Sequence, residues 1–353
     1  MSRDRAARLV DVARLAGVTP AVVSRVLNKD ETLRVRPETR ERVQAAAAEL
    51  RYVANARGRA LQSARTGAIG VFVPSLTSPV YAAILTGAQR AASERDLTLL
   101  LADSRVQTVS AGTLSSLAAQ GRVDGFLFQR TSEMSDDDVI RTLAAGVPAI
   151  LLNGLIAGLE PSVAVDDEAG GQLATEHLLS FGHRRIGHVS GPPPTDTAAR
   201  RRAGYERALT AAGIALDERL VVPASDYAAA AGEAAAAALL AAEPRPTAVF
   251  AANVVIAIGV LAAAARMAIR VPEELSVIGL HDMWFAEHTS PPLSTVEMPL
   301  QQLGETAVHE LARLLEGGQP SVVTLRSPAP RVVSRASVGP AATRRPASRR
   351  PSD

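Results

Sequence analysis

Near the start of the chain, apolar positions recur at helical spacing. Leu9, Val12, Ala13 and Ala16 fall at i, i+3, i+4 and i+7, one stripe of a short helix. Gly17 follows at the point where a helix stops with a residue that tolerates positive φ. Thr19-Pro20 then offers an N-cap hydroxyl and a proline at the first helical position. In the next segment Val22, Val23, Val26 and Leu27 form the buried face, leaving Ala21, Ser24, Arg25 and Asn28 on the opposite one. A third helix, from Pro37 to about Arg51, covers the pair with Val43, Ala46, Ala47 and Leu50. Two short helices joined by a glycine-containing turn predict a helix-turn-helix, whose second helix enters the major groove of DNA.

From residue 67 the pattern changes to apolar runs alternating with helical stretches. The runs predict strands at Ile69–Val73, Leu97–Leu101, Gly125–Phe128, Ala149–Leu152, Val163–Val165, Ile186–Val189, Ala248–Ala251 and Val277–Leu280. Helices are expected near 79–95, 108–120, 135–145, 168–180, 200–212, 228–242, 254–266 and 299–316. Strict alternation means α/β architecture, with parallel sheets covered by helices on both faces, and eight strands suit two doubly wound subdomains better than one. Ligands in such folds bind at the carboxyl ends of strands. That rule nominates Ser75, Ser78 and Val80 after the first strand, Gln129 after the third, and Asn253, His281 and Asp282 in the second half. Tyr227 and Trp284 are candidates to stack on an apolar ligand face, with core packing the other reading of Trp284.

The charge distribution adds a partner. Residues 1–66 carry 14 Arg/Lys against 7 Asp/Glu, and residues 331–353 carry 6 Arg against 1 Asp, so the stretch between them is net acidic although the whole chain is +2. A basic head on an acidic body fits a polyanion-binding module joined to something that does not bind polyanions. With no cysteine, disulfides, thiolate metal sites and cysteine nucleophiles are excluded. No P-loop, G-x-G-x-x-G, H-E-x-x-H or G-x-S-x-G motif occurs, so neither an enzyme nor a cofactor is expected. GHRRIGH (182–188) is read as a structural approach to a strand rather than a metal site. The N-terminus lacks an apolar secretory core and no apolar run reaches the ~20 residues of a membrane span, so a cytoplasmic protein is expected.

VDVARLAGVTPAVVSRVLN (10–28), RPETRERV (36–43) and YVANARGRALQ (52–62) resemble the N-terminus of the LacI/GalR family of transcriptional regulators. The likeness continues, in order, through IGVFVPSLTSPVYAAILTGA (69–88), VDGFLF (123–128), ATEHLLSFGHRRIGHVSG (174–191), TAVFAAN (247–253), VPEELSVIGLHD (271–282) and PPLSTV (291–296). It implies a DNA-binding head at 1–52, a hinge helix and linker at 53–66, and a periplasmic-binding-protein-like body at 67–338. The body would divide into subdomains at roughly 67–165 plus 296–320 and 166–295 plus 321–338, ahead of a disordered basic tail at 339–353. A leucine heptad, which makes tetramers of some members, is missing from that tail, so a homodimer is expected.

The resemblance also assigns roles. Thr19, Ser24 and Asn28 would touch phosphates, Pro20 and Ala21 would read bases by apolar contact, and Arg25 would make a bidentate contact to guanine. Asn55 and Arg59 would lie along the minor-groove walls, and Leu61 would wedge into a central base step. A segment as short as 53–62, with Gly58 inside it, is marginal as an isolated helix and would form on DNA against the partner's copy. Arg201, three residues before Gly204-Tyr205, occupies the position of the ligand-clamping arginine, although Arg200 and Arg202 flank it. Departures from the family include Val22 for threonine, Arg36 for a serine N-cap, and Ser75, Ser78, Val80, Val254 and His281 where aspartate, asparagine or an aromatic is usual. The expected function is a dimeric repressor of a palindromic double-stranded operator, governed by a small-molecule effector, most readily a carbohydrate. A solute-binding protein of the same body fold and an effector-blind repressor are the rival readings.

Overall fold

The computed structural model describes residues 7–27, 30, 32–52 and 65–341. The chain divides at Gly67 into two compact units. Unit one holds three helices, α1 (Leu9–Ala16), α2 (Pro20–Leu27) and α3 (Pro37–Glu49). Gly17 closes α1 at φ +66°, and the Val18 N–H returns to the Ala13 carbonyl. At the start of α1, Asp11 accepts the Arg8 backbone N–H at 2.9 Å. Val12, Ala13 and Ala16 meet Val23 and Val26 of α2 and Val43, Ala46 and Ala47 of α3 in one small core. Arg36 stands at the N-cap of α3 and gives no side-chain cap, so the stop-start at Pro37 rests on proline geometry alone.

Unit two begins β1 (Ala68–Val73), α4 (Pro79–Ser93), β2 (Thr98–Asp103), α5 (Ala111–Ala119), β3 (Gly125–Phe128), α6 (Asp136–Leu143), β4 (Ala149–Leu152) and β5 (Ser162–Val165). It continues α7 (Asp167–Ser180), β6 (Ile186–Ser190), α8 (Asp196–Ala211), β7 (Val221–Pro223), α9 (Ala229–Leu240), β8 (Ala248–Ala251), α10 (Val254–Arg266) and β9 (Ser276–Leu280). The last elements are β10 (Ser294–Glu297), α11 (Leu300–Leu315), β11 (Val322–Leu325) and β12 (Arg331–Val333). The strands form two six-stranded sheets, ordered β11-β5-β4-β3-β1-β2 and β12-β10-β9-β8-β6-β7. All pairings are parallel except β10 with β12.

In the first sheet the alternation of a strand buried on both faces is explicit. Ile69, Val71 and Val73 enter one core, with Leu127, Ile150 and Leu152. Phe72, Phe126, Phe128, Ala149 and Leu151 enter another with Leu114 of α5 and Val139 of α6. The chain passes between the sheets after β5, after β10 and after β11. The second subdomain therefore includes all of β10, and β11 returns to the first sheet, where Val322–Leu325 pairs with Ser162–Val165. The expected boundaries at 295/296 and 320/321 move accordingly, past β10 and past β11. A four-residue, partly exposed edge strand carries no pattern that says which sheet it will join.

Helix pairs are drawn together by facing glycines. A Cβ on Gly171 of α7 would lie 2.3 Å from the Arg201 carbonyl oxygen of α8, and one on Gly204 of α8 would lie 2.1 Å from that of Glu168. Gly87 with Gly304, and Gly232 with Gly259, do the same for α4/α11 and α9/α10. Residues 335–341 are docked on the second sheet rather than starting a free tail at 339. Gly339 N–H donates to Ser276 Oγ at 3.0 Å, its carbonyl lies 3.0 Å from His183 Nε2, and Ala341 N–H reaches the Phe181 carbonyl. Among the described residues no helix is long and apolar enough to cross a membrane, and no His/Asp/Glu cluster could hold a metal ion.

Candidate DNA-reading face and effector site

On α2 the buried valines turn the other side outward, and Thr19, Pro20, Ala21 and Arg25 are exposed while Ser24 is half-buried. Thr19 Oγ1 accepts the Val22 N–H at 3.4 Å, so the hydroxyl caps the helix as its position before proline implies. Arg25 is held from the loop that follows: Nε donates to Asp30 Oδ2 at 2.7 Å and Nη2 to Thr32 Oγ1 at 2.9 Å. Nothing in the helical periodicity announces that clamp. Asn28, Asn55, Arg59 and Leu61 lie outside the described residues.

In the body, Arg201 is the focus. Its place on α8, brought against α7 by Gly171 and Gly204, lets Nε donate to Asp167 Oδ1 at 2.7 Å, with both residues buried. Nη1 donates to the Ala252 carbonyl at 3.0 Å, just past β8. Nη2 lies 3.5 Å from His281 Nε2, and the guanidinium carbon stands 5.7 Å from the centre of the Tyr227 ring. Asp167 also faces Arg200 Nη2 at 2.9 Å. Burial pushes the Asp167 carboxyl upward, but the Arg201 charge and then that of Arg200 outweigh it and hold the group below the usual carboxylate range. Of the three consecutive arginines, Arg201 makes this set of contacts. Arg200 turns to Asp196 and the Val165 carbonyl, and Arg202 to Glu206 and Glu218.

His281 directly follows β9, at φ +73°. Burial, then the Arg201 charge, press its pKa down to about 3, so the imidazole is neutral. With Nε2 turned to Arg201, its buried Nδ1 has no partner among the described residues. Gln129 after β3 and Asn153 after β4 repeat the situation: both are buried, with Oε1 and Oδ1 unpartnered, and Asn153 also holds a positive φ of 50°. Tyr227 Oη lies 2.9 Å from Thr197 Oγ1, and its ring passes over Gly191, where a Cβ would fall 2.3 Å from the hydroxyl. Tyr81 of α4 comes from the other subdomain, close enough to Tyr227 and Arg201 to feel both. Burial, then Tyr227, pushes its phenol pKa up.

The remaining candidates are placed differently. Asn253 caps α10 by accepting the Ile256 N–H at 2.7 Å. Ser75 Oγ accepts from Arg105 Nη2 at 3.1 Å, and Ser78 is the N-cap residue of α4. Val80 is buried in the first-sheet core. Asp282 turns to β10, accepting from Thr295 Oγ1 at 2.6 Å and Arg335 Nη1 at 2.7 Å. Trp284 is 77% exposed, which removes core packing, and its ring meets Phe285 edge-on. Asp167, Asn153, Tyr81 and Thr197 were not anticipated. Asn153 directly follows a correctly placed strand, so the strand-end rule could have found it. Asp167 sits in an acidic helix start that reads as simple capping.

A helix-turn-helix head followed by a body of two parallel-sheet subdomains defines a class of DNA-binding regulators. Residues 8–55 match the family described as bacterial regulatory proteins, lacI family, and residues 175–338 match the periplasmic binding protein-like domain. The HTH-type transcriptional repressor PurR of Erwinia tasmaniensis is 36% identical over 86% of this chain and 89% of its own. The crystal structure of the lac repressor dimer bound to operator and the anti-inducer ONPF superposes with a TM-score of 0.81 at 29% identity, over 95% of this chain and all of that one. The transcriptional regulator CelR–cellobiose complex gives 0.70 at 33% identity, covering 94% and 99%. The chain belongs to the lacI family of bacterial regulatory proteins. It is a transcriptional regulator and not an enzyme.

Proposed function

We propose that this protein is a cytoplasmic homodimeric repressor that reads a palindromic operator through Thr19, Pro20, Ala21, Ser24, Arg25 and Asn28, with Asn55, Arg59 and Leu61 in the minor groove. A small molecule, most readily a carbohydrate, binds around Arg201 and shifts the two subdomains, so that the two hinge segments separate and DNA affinity changes. The supporting observation is a set of buried, unpaired polar groups that follow strands of both subdomains. Gln129 and Asn153 of the first subdomain and His281 of the second each keep a buried atom without a partner among the described residues, and His281 lies against Arg201, which Asp167 fixes. Buried polar atoms left unpaired in a folded protein are costly, and a hydroxyl-bearing ligand would supply the missing bonds. The cellobiose held by the CelR relative favours a sugar. The same unpaired groups weigh against an effector-blind repressor, and the head weighs against a solute carrier.

A thermal-shift panel of mono- and disaccharides, polyols, nucleosides and sugar phosphates tests the reading. A true ligand at a hundred times its dissociation constant stabilises the body by about 2.7 kcal/mol. The rise in melting temperature should disappear in Arg201→Met. Silence of the unaltered chain across the panel would overturn the carbohydrate assignment.

A further inference from the structure

We propose that Asp30 and Thr32 are positioning residues for DNA reading, fixing the Arg25 guanidinium on the outer face of α2 so that its free edge addresses a guanine. The inference rests on α2 being the recognition helix, as proposed above. Asp30 and Thr32 leave α2 by a tight return: the Asp30 N–H donates to the Arg25 carbonyl at 3.0 Å. Asp30 Oδ1 accepts both the Thr32 N–H at 2.9 Å and the Thr32 hydroxyl at 2.7 Å, which fixes the carboxylate before it meets the arginine. Oδ2 then takes Arg25 Nε, and Thr32 Oγ1 takes Nη2. These bonds occupy the side edge of the guanidinium. They leave over its end edge, Nη1 and the second N–H of Nη2, which are the two parallel donors that match guanine O6 and N7.

The pair does little for folding. The Arg25 side chain is 46% exposed, and exposed ion pairs contribute little to stability. Its consequence is orientation: an arginine already held in one rotamer meets the base without first being ordered, which is worth about a threefold to tenfold gain in discrimination. A carboxylate placed toward a phosphate backbone also weakens general DNA affinity. The hydrogen bonds from Arg25 and then Thr32 hold the Asp30 carboxyl down to about 2, so this charge is present throughout the neutral range. The clamp thus opposes general affinity while sharpening base choice. Two effects of opposite sign separate it from a merely structural role.

The test uses the full chain and a randomised duplex library, followed by titration of the enriched duplex and each of its single-base variants. Arg25→Ala should abolish the preference for one guanine in each half-site. Asp30→Ala and Thr32→Val should reduce that same preference by about threefold to tenfold, with Asp30→Ala binding unrelated duplex at least as tightly as the parent. Asp30→Asn, which keeps an acceptor in place, should recover part of the preference, and Asp30→Ala should leave base preference unchanged in the Arg25→Ala background. Undiminished or sharper discrimination in Asp30→Ala would overturn the proposal and make Asp30 a bystander or a sequestering group. If the parent enriches no sequence at all, the DNA-reading function fails and the clamp with it, an outcome distinct from the first two.

Discussion

Replacing Asp167 by alanine should be the most damaging single change in the body. The carboxylate is fully buried and answers two guanidinium groups, Arg201 Nε at 2.7 Å and Arg200 Nη2 at 2.9 Å. Its loss leaves Arg201, 3% exposed, with only the Ala252 carbonyl, a neutral imidazole and a tyrosine face. Breaking one partner out of a buried ion pair costs about 3–5 kcal/mol, because the other charge remains buried without compensation. For a body of this size each kcal/mol lowers the melting temperature by about 2–4 °C, so the expected fall is about 6–20 °C. Unfolding should be followed by far-ultraviolet circular dichroism, since the single tryptophan is already exposed in the folded chain. The double substitution Asp167→Leu with Arg201→Met removes both charges and should regain most of the loss while failing to bind ligand. A loss below about 1 kcal/mol for Asp167→Ala, or no recovery in the double variant, would refute the argument that this pair is coupled and buried.

Four further outcomes are expected. His188 is stacked between Phe250 and Tyr205, and burial presses its pKa down to about 4, so between pH 6.5 and about 4 the unfolded chain carries a proton that the folded chain does not. Stability should therefore fall as pH drops through that window, and His188→Phe should make the fall shallower by about 1.4 kcal/mol per pH unit, measured as denaturation midpoints. Gly191→Ala puts a methyl group into the Tyr227 ring and should weaken ligand binding about fivefold to tenfold in calorimetry, with little change in melting temperature. Deleting 342–353 should leave stability unchanged and flatten the salt dependence of nonspecific DNA binding. Deletion from 335 onward should destabilise the body by at least about 3 kcal/mol, because Ser337 and Val338 are buried and Ser337 bonds Val277 and Ser294.

The repeating elements were legible because burial on both faces forces continuous apolar strands between amphipathic helices. Each of the eight expected strands and eight expected helices of the body appears within a few residues of its place. β7, β10, β11 and β12 escaped, being three or four residues long, and three of them lie on sheet edges where only one neighbour enforces a pattern. At the candidate site, the strand-end rule reached Gln129, Asn253 and His281, because backbone direction alone puts them there. It could not say that Asn253 spends its side chain on capping α10, or that Asp282 turns to Arg335. Asp167 meets Arg201 only because Gly171 and Gly204 let two helices approach, and no local pattern encodes that meeting. The Asp30 return onto Arg25 is hidden for a similar reason: it depends on loop conformation, not on periodicity.

The central claim, that occupancy around Arg201 governs DNA binding, is tested most directly by fluorescence anisotropy of the enriched duplex with the stabilising ligand absent and then saturating. Operator affinity of the parent should change by about tenfold or more, a typical coupling between two sites, and that of Arg201→Met should not change. Equal operator affinity of the parent in the two conditions, with the ligand demonstrably bound, would contradict the account.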